Sequence, residues 1–204
     1  MKHSSTRELY AYWSTLRGNR PAPHRADIDP AAIRHSLSDI FILAADAVEQ
    51  QTFRLAGTRV CALFARELKG ESFAALWSDK SKDHLRLLLE NVTGDNAAIV
   101  AGVIGRNDQG NPLGLELLLL PLMHQGHARV RAIGVLAPTD LPFWLGAKPL
   151  KELALETVRH LGGELDSKPR RFAAYLGGQL RRRFIVHQGG AAPPPASPPR
   201  DQAG

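Results

Sequence analysis

Four groups of side chains have the types from which a site could be built. Cys61, in TRVCALFAREL, is the only cysteine. A lone thiol is either a nucleophile or a small buried hydrophobe, and it excludes a disulfide framework and multi-cysteine metal or iron–sulfur sites. His124 and His127, in HQGH, suggest a metal pair. Gln125-Gly126 between two strand-like runs reads better as a hairpin turn with exposed histidines, and no further ligand stands near them in sequence. His35 and His84 fall on helical segments, and His84, flanked by Asp83 and Arg86, belongs on a solvated face. Arg54, Arg59, Arg66, Glu67 and Lys69 cluster around a short helical crossing. They could attract an anion, but no glycine-rich loop accompanies them, and a solvated face is the plainer reading. There is no nucleophile elbow, phosphate loop, zinc-binding helix or paired catalytic motif, so no enzyme activity is expected.

The elements that must position these residues follow from periodicity. In SSTRELYAYWSTLRG, Ser5 and Glu8 have the spacing of a capping box. Leu9, Trp13 and Leu16 follow at helical intervals up to Gly18. Asp29 precedes Pro30 as the cap of a second short helix. DIFILAADA and EQQTFRLAG read as a hairpin, with Phe53 and Leu55 on one face and Arg54 on the other. Two short helical segments flank Gly70. A longer helix begins after Ser78, carries Leu85, Leu88, Leu89 and Val92 as its apolar stripe, and stops at Gly94. Three strand-like segments then run to Pro138. AKPLKELALETVRHLGG reads as a helix, and KPRRFAAYLGGQLRRRFIV as a weaker one. The expected fold is α+β: a five-stranded antiparallel sheet with helices across one face, plus flanking N- and C-terminal helices.

One strand makes a further demand. In GLELLLLPL, alternation sends Leu115, Leu117 and Leu119 to one face and Glu116, Leu118 and Leu120 to the other. Apart from Glu116 both faces are apolar, so both must be covered. The central helices cover one. The N-terminal helix, the C-terminal helix or a second copy of the chain must cover the other.

This order of elements resembles a PAS domain. The stretches LYAYW, RADIDPAAIRHSLSDIFIL, FRLAGTRVCALFARELKGESFAALW, LELLLLPL, GVLAP and WLGAKPL are similar to those of short stand-alone PAS proteins of alphaproteobacteria. One departure is Ala65, where that branch is expected to carry glycine. Alanine costs little there if the site is helical. The resemblance implies a sensory or interaction module that binds a small ligand between sheet and helices, or pairs through the sheet and the N-terminal helix. Light-sensing relatives bond a flavin through a cysteine in a comparable helix, but here Val60 and Phe64/Ala65 replace the flanking Asn and Gln. Haem-binding relatives use a helical histidine, a role that His35 and His84 do not suit. No cofactor is required by the sequence, and neither flavin nor haem is expected.

The candidate ligand pocket comprises Phe53, Leu55, Cys61, Phe64, Phe73, Trp77, Leu88, Val100, Leu117 and Leu119. These residues either pack as an ordinary core or line a cavity, and the sequence leaves both open. The candidate dimer or partner face is Leu9, Trp13, Leu16, Leu118 and Leu120.

The formal charge is +6. From Asp166 onward the chain carries seven basic residues and two acidic ones, so most of that charge sits in the C-terminal tail. Arg170, Arg171, Arg181, Arg182 and Arg183, interleaved with apolar residues, are the candidate contact for anionic lipid or nucleic acid. The expected division is an N-terminal helix and linker over 1–22, a PAS-like domain over 23–146, basic C-terminal helices over 147–186 and a disordered Pro-rich tail over 187–204. No signal peptide or membrane span is legible, and the cytoplasm is the expected compartment. With no output domain in the sequence, the expected function is non-catalytic signalling through an unidentified partner protein or a homodimer, with a small ligand as the trigger. The other reading is a peripheral adaptor working through the basic tail.

Overall fold

A computed structural model describes residues 1–47, 50–123 and 131–161. Helix α1 spans Ser4–Arg17. Strands β1 (Ile40–Ala47) and β2 (Gln50–Ala56) form the first hairpin. Helices α2 (Thr58–Phe64) and α3 (Asp79–Gly94) cross to the last strands, with a 3-10 turn over Phe73–Leu76 between them. Strands β3 (Ala98–Asn107), β4 (Pro112–Leu122), β5 (Arg131–Pro138) and β6 (Leu150–Leu161) complete one sheet in the order β2-β1-β5-β4-β3-β6. The antiparallel α+β class is as expected from the sequence. The strand count is six, not five.

The sixth strand replaces an expected helix. β6 pairs with β3 along its length, and its register shifts twice, skipping Glu156 and Lys151. Each shift is a β-bulge, which adds one residue to the strand without moving the face. The inward residues therefore fall at Leu150, Leu153, Leu155 and Val158. Those unequal steps imitate helical periodicity, which is why the segment read as a helix.

A third bulge corrects the first hairpin. Ile42 pairs with Leu55 and Leu43 with Phe53, leaving Arg54 unmatched. Phe53 thus joins the inner core, whereas Leu55 turns to the opposite face and is 44% exposed.

The sheet carries one core on each face. On the inner face α2 and α3 pack Val60, Leu63, Phe64, Leu85, Leu88 and Val92 against Leu115, Leu117 and Leu119. On the outer face Leu9 and Trp13 of α1 pack with Ile33, Ile42, Val100, Leu118, Leu120 and Val135. The chain's own N-terminal helix therefore supplies the second cover that the leucine run requires. Burying both faces is worth roughly 2 kcal/mol for each fully enclosed leucine.

Polar side chains fix α1 in place. Its N-cap is His3, whose ring accepts from the Ser5 N–H at 3.2 Å. Ser5 and Glu8 do not form the expected capping box. The Ser5 hydroxyl donates to Asp39 Oδ2 at 2.6 Å, and Glu8 accepts from the Ser36 hydroxyl. The spacing that suggested local capping puts both side chains on one helix face, where they reach across to the start of β1. The Trp13 indole N–H donates to the Pro121 carbonyl at 2.8 Å.

Ala65 is also corrected. It is not helical but closes α2 in the left-handed region, at φ 51° and ψ 36°. A Cβ is strained there, so alanine costs what glycine would not.

Candidate functional site

On the inner face the structure gathers eight of the ten expected pocket residues: Phe53, Cys61, Phe64, Phe73, Trp77, Leu88, Leu117 and Leu119. Leu55 and Val100 lie on the outer face, Leu55 because of the bulge and Val100 because it pairs with the outward Leu118. The eight are packed among one another. Phe73 stacks on Phe41 at 5.5 Å between centroids and meets the edges of Phe53 at 5.5 Å and Trp77 at 5.8 Å. Such offset and edge-on contacts fill space and hold orientation.

Cys61 borders this core. Its sulfur lies 3.8 Å from the Ala56 carbonyl and 3.8 Å from Glu67 Oε2. Burial, and then the Glu67 and Glu71 carboxylates, push the thiol above its ordinary range, against a Leu68 backbone bond that lowers it. The nucleophilic thiolate is therefore disfavoured. Trp77 places its indole nitrogen in this core with no hydrogen-bond partner among the described residues.

The arginine cluster does not converge on one point. Arg59 grips Asp39 with both arms of its guanidinium, at 2.7 and 2.6 Å. Arg66 pairs with Glu71 at 2.9 Å. Arg54, Glu67 and Lys69 are exposed. His35 is exposed and accepts from Arg34 Nε, and His84 is half-buried on α3. No group of three or more potential metal ligands occurs among the described residues. His124 and His127 lie outside those residues, as do Arg170, Arg171, Arg181, Arg182 and Arg183.

The outer face holds the polar features that the sequence reading missed. Asp39 is 1% exposed and receives Ser5 from α1 and Arg59 from α2 on the same carboxylate. It ties the helix on one face of the sheet to a helix on the other. The Arg59 guanidinium is held more firmly protonated by its bond to Asp39. Gly57 permits the approach: a Cβ there would collide with the Leu37 and Ser38 carbonyl oxygens. Glu116 accepts from the backbone N–H groups of Lys2 and His3 at 2.7 and 3.0 Å. Burial alone would raise its pKa, but these two bonds, with smaller help from Thr6 and the N-terminal charge, bring it below the usual value. A single charge in a leucine run was a legible signal for Glu116. Asp39 stood in the sequence with no such mark.

The expected partner face is internal in the chain. Leu118 and Leu120 are covered by Leu9 and Trp13, and Leu16 lies at the border of that contact. These five residues are an interface only if α1 moves. Beside them, bounded by the segment over 25–38 and strands β1, β2 and β5, is an open groove of about 540 Å³. Ile28, Ile33, Ile40, Ile42, Leu55 and Ile133 supply its apolar walls, with Arg25 and Arg34 also lining it. No helix among the described residues is long and apolar enough to cross a membrane.

The family model described as "PAS domain" matches residues 1–137. No curated relative matches. Among solved structures, "Structure of an RNA-binding Light-Oxygen-Voltage Receptor" aligns at 14% identity and TM-score 0.43, over 58% of this chain and 34% of that one. The chain thus spans about a third of that receptor. "Flavin Analogue Sheds Light on Light-Oxygen-Voltage Domain Mechanism" aligns at 14% identity and TM-score 0.43, over 57% of this chain and 87% of the other.

Proposed function

The chain belongs to the PAS domain family, and on that footing we propose that it is a non-catalytic sensory module acting through small-ligand binding, protein–protein contact or both. The observation that carries this reading is the double grip of Asp39 on Ser5 and Arg59. A ligand or partner that displaces α2 pulls Arg59 and, through the bidentate pair, the Asp39 carboxylate with it, which draws Asp39 away from Ser5 and frees α1. Departure of α1 bares Leu118 and Leu120, which a second copy or a signalling partner can then cover. The signal is a shift between two states that bind the trigger unequally. An output through a partner protein and a cytoplasmic setting are part of the same proposal.

The test is hydrogen exchange of the α1 amides together with sedimentation of the full-length chain, in wild type and in Ser5→Ala/Asp39→Asn. The expected result is faster α1 exchange and a concentration-dependent dimer. A variant whose α1 loosens while the chain stays monomeric at every concentration sinks the pairing mechanism. Native mass spectrometry on the same samples reads the ligand arm directly, as extra non-covalent mass.

A further inference from the structure

We propose that the outer-face groove is a binding site for an amphiphile with an aliphatic body and a single anionic head, of the long-chain carboxylate class. The inference deepens the ligand arm of the sensory reading and rests on it for its consequence, though not for the binding itself.

The body of the ligand is specified by the walls. Ile28, Ile33, Ile40, Ile42, Leu55 and Ile133 all line a volume of about 540 Å³, within the usual range for small-molecule sites. Leu55 is available to it only because the bulge at Arg54 turns that side chain outward. A groove walled by isoleucine favours an apolar chain over a polar solute of similar size.

The head is specified by charge. Arg25 and Arg34 line the same groove. Neither has an ion pair among the described residues. Arg34 donates its Nε to His35 at 3.2 Å, leaving its terminal nitrogens for a ligand. The neighbouring carboxylates are committed elsewhere. Asp27 pairs with Arg20 at 3.0 Å, Asp29 caps the Ala31 N–H, Asp39 holds Arg59, and Glu8 holds the Ser36 hydroxyl. Two guanidinium groups without an ion-pair partner among the described residues, beside an apolar groove, complement a carboxylate with a hydrocarbon tail. Ser38 and Thr58, also in the lining, add hydroxyl donors.

The experiment is calorimetric titration of the full-length protein with dodecanoate below its micellar range. The same titration is made with dodecyltrimethylammonium, which has the same tail and the opposite charge. The variants are Arg25→Gln/Arg34→Gln and, separately, Leu55→Asp; all three positions are at least partly exposed. One saturable site for dodecanoate is expected, with binding weaker by roughly tenfold or more for the cation and for each variant. No saturable dodecanoate binding overturns the proposal. So does equal affinity for the cation, or affinity undiminished in the arginine variant. Vesicles of phosphatidylcholine with phosphatidylglycerol separate the two sources of such a ligand. Arginine-dependent sedimentation with vesicles, without binding of free dodecanoate, would replace the amphiphile site with a lipid-surface contact and overturn the proposal. Dodecanoate binding that leaves α1 exchange and sedimentation unaltered retains the site and refutes the coupling of ligand to α1.

Discussion

Phe53 and Leu55, two residues apart on β2, face opposite sides of the sheet. Phe53 is 1% exposed in the inner aromatic cluster, while Leu55 stands 44% exposed in the outer groove. Ordinary alternation would put them together; the unmatched Arg54 separates them. Their substitutions should therefore differ sharply. Phe53→Ala is expected to cost about 3–5 kcal/mol by opening the core, and Leu55→Ala to stay within about 1 kcal/mol. Urea denaturation of the two variants checks this, and equal losses would place both residues on one face.

Ala65→Gly should stabilise the chain. The backbone there is left-handed, where an L-residue pays a Cβ penalty of about 1–2 kcal/mol and glycine does not. Glycine's greater freedom in the unfolded state returns about 0.4–1 kcal/mol of that gain. A rise in Tm of a few degrees is expected from calorimetry. A fall would mean that α2 does not end at this residue.

Arg59→Ala should be more damaging than Asp39→Asn. Removing Arg59 leaves the buried Asp39 carboxylate with one hydroxyl donor, Ser5. Neutralising Asp39 leaves an Arg59 side chain that is 58% exposed and can be hydrated. Loss of one partner from a buried pair costs about 3–5 kcal/mol when the remaining charge cannot reach water. Denaturant unfolding of the two single variants and the double variant tests the order. The double variant should recover part of the Arg59→Ala loss, and a simple sum of the two single losses would show no coupling.

Docking of α1 should weaken in acid through Glu116. Burial disfavours its charge, but the Lys2 and His3 amides, with smaller help from Thr6 and the N-terminal charge, hold its folded pKa below the ordinary 4.5. A lowered folded pKa contributes stability that is present above the unfolded value and is lost as pH falls through the folded one. Trp13 near-ultraviolet circular dichroism and α1 exchange should therefore lose this contribution below about pH 4.5 in wild type. Glu116→Gln should be less stable at neutral pH and flatter across that window. The same acid limb in the variant would assign it to another carboxylate.

Much of this architecture was legible before any coordinates. Short-range pattern alone carried α1, α3 with its stripe of Leu85, Leu88, Leu89 and Val92, the first hairpin and the need to cover both faces of β4. Each of these rests on a regular period of hydrophobicity, which a sequence displays directly. Eight residues of the expected pocket lie on the inner face, where the expected sheet-and-helix arrangement put them. Bulges defeated the reading elsewhere. An extra residue at Arg54, at Lys151 and at Glu156 breaks the two-residue period, misplacing Leu55 and disguising β6 as a helix. Whether a strand bulges is settled by its partner's register, which local sequence does not contain. The outer-face network had the same cause. Ser5 and Glu8 carried a capping signature, yet Asp39 and Ser36 lie 34 and 28 residues away in sequence and claim them instead. The sequence by itself determined that the leucine strand would be enclosed on both sides, because water excludes both of its faces. Only the tertiary structure decided that α1 of the same chain encloses the outer side, and that Arg25 and Arg34 are left beside a groove, because those outcomes depend on which distant groups meet.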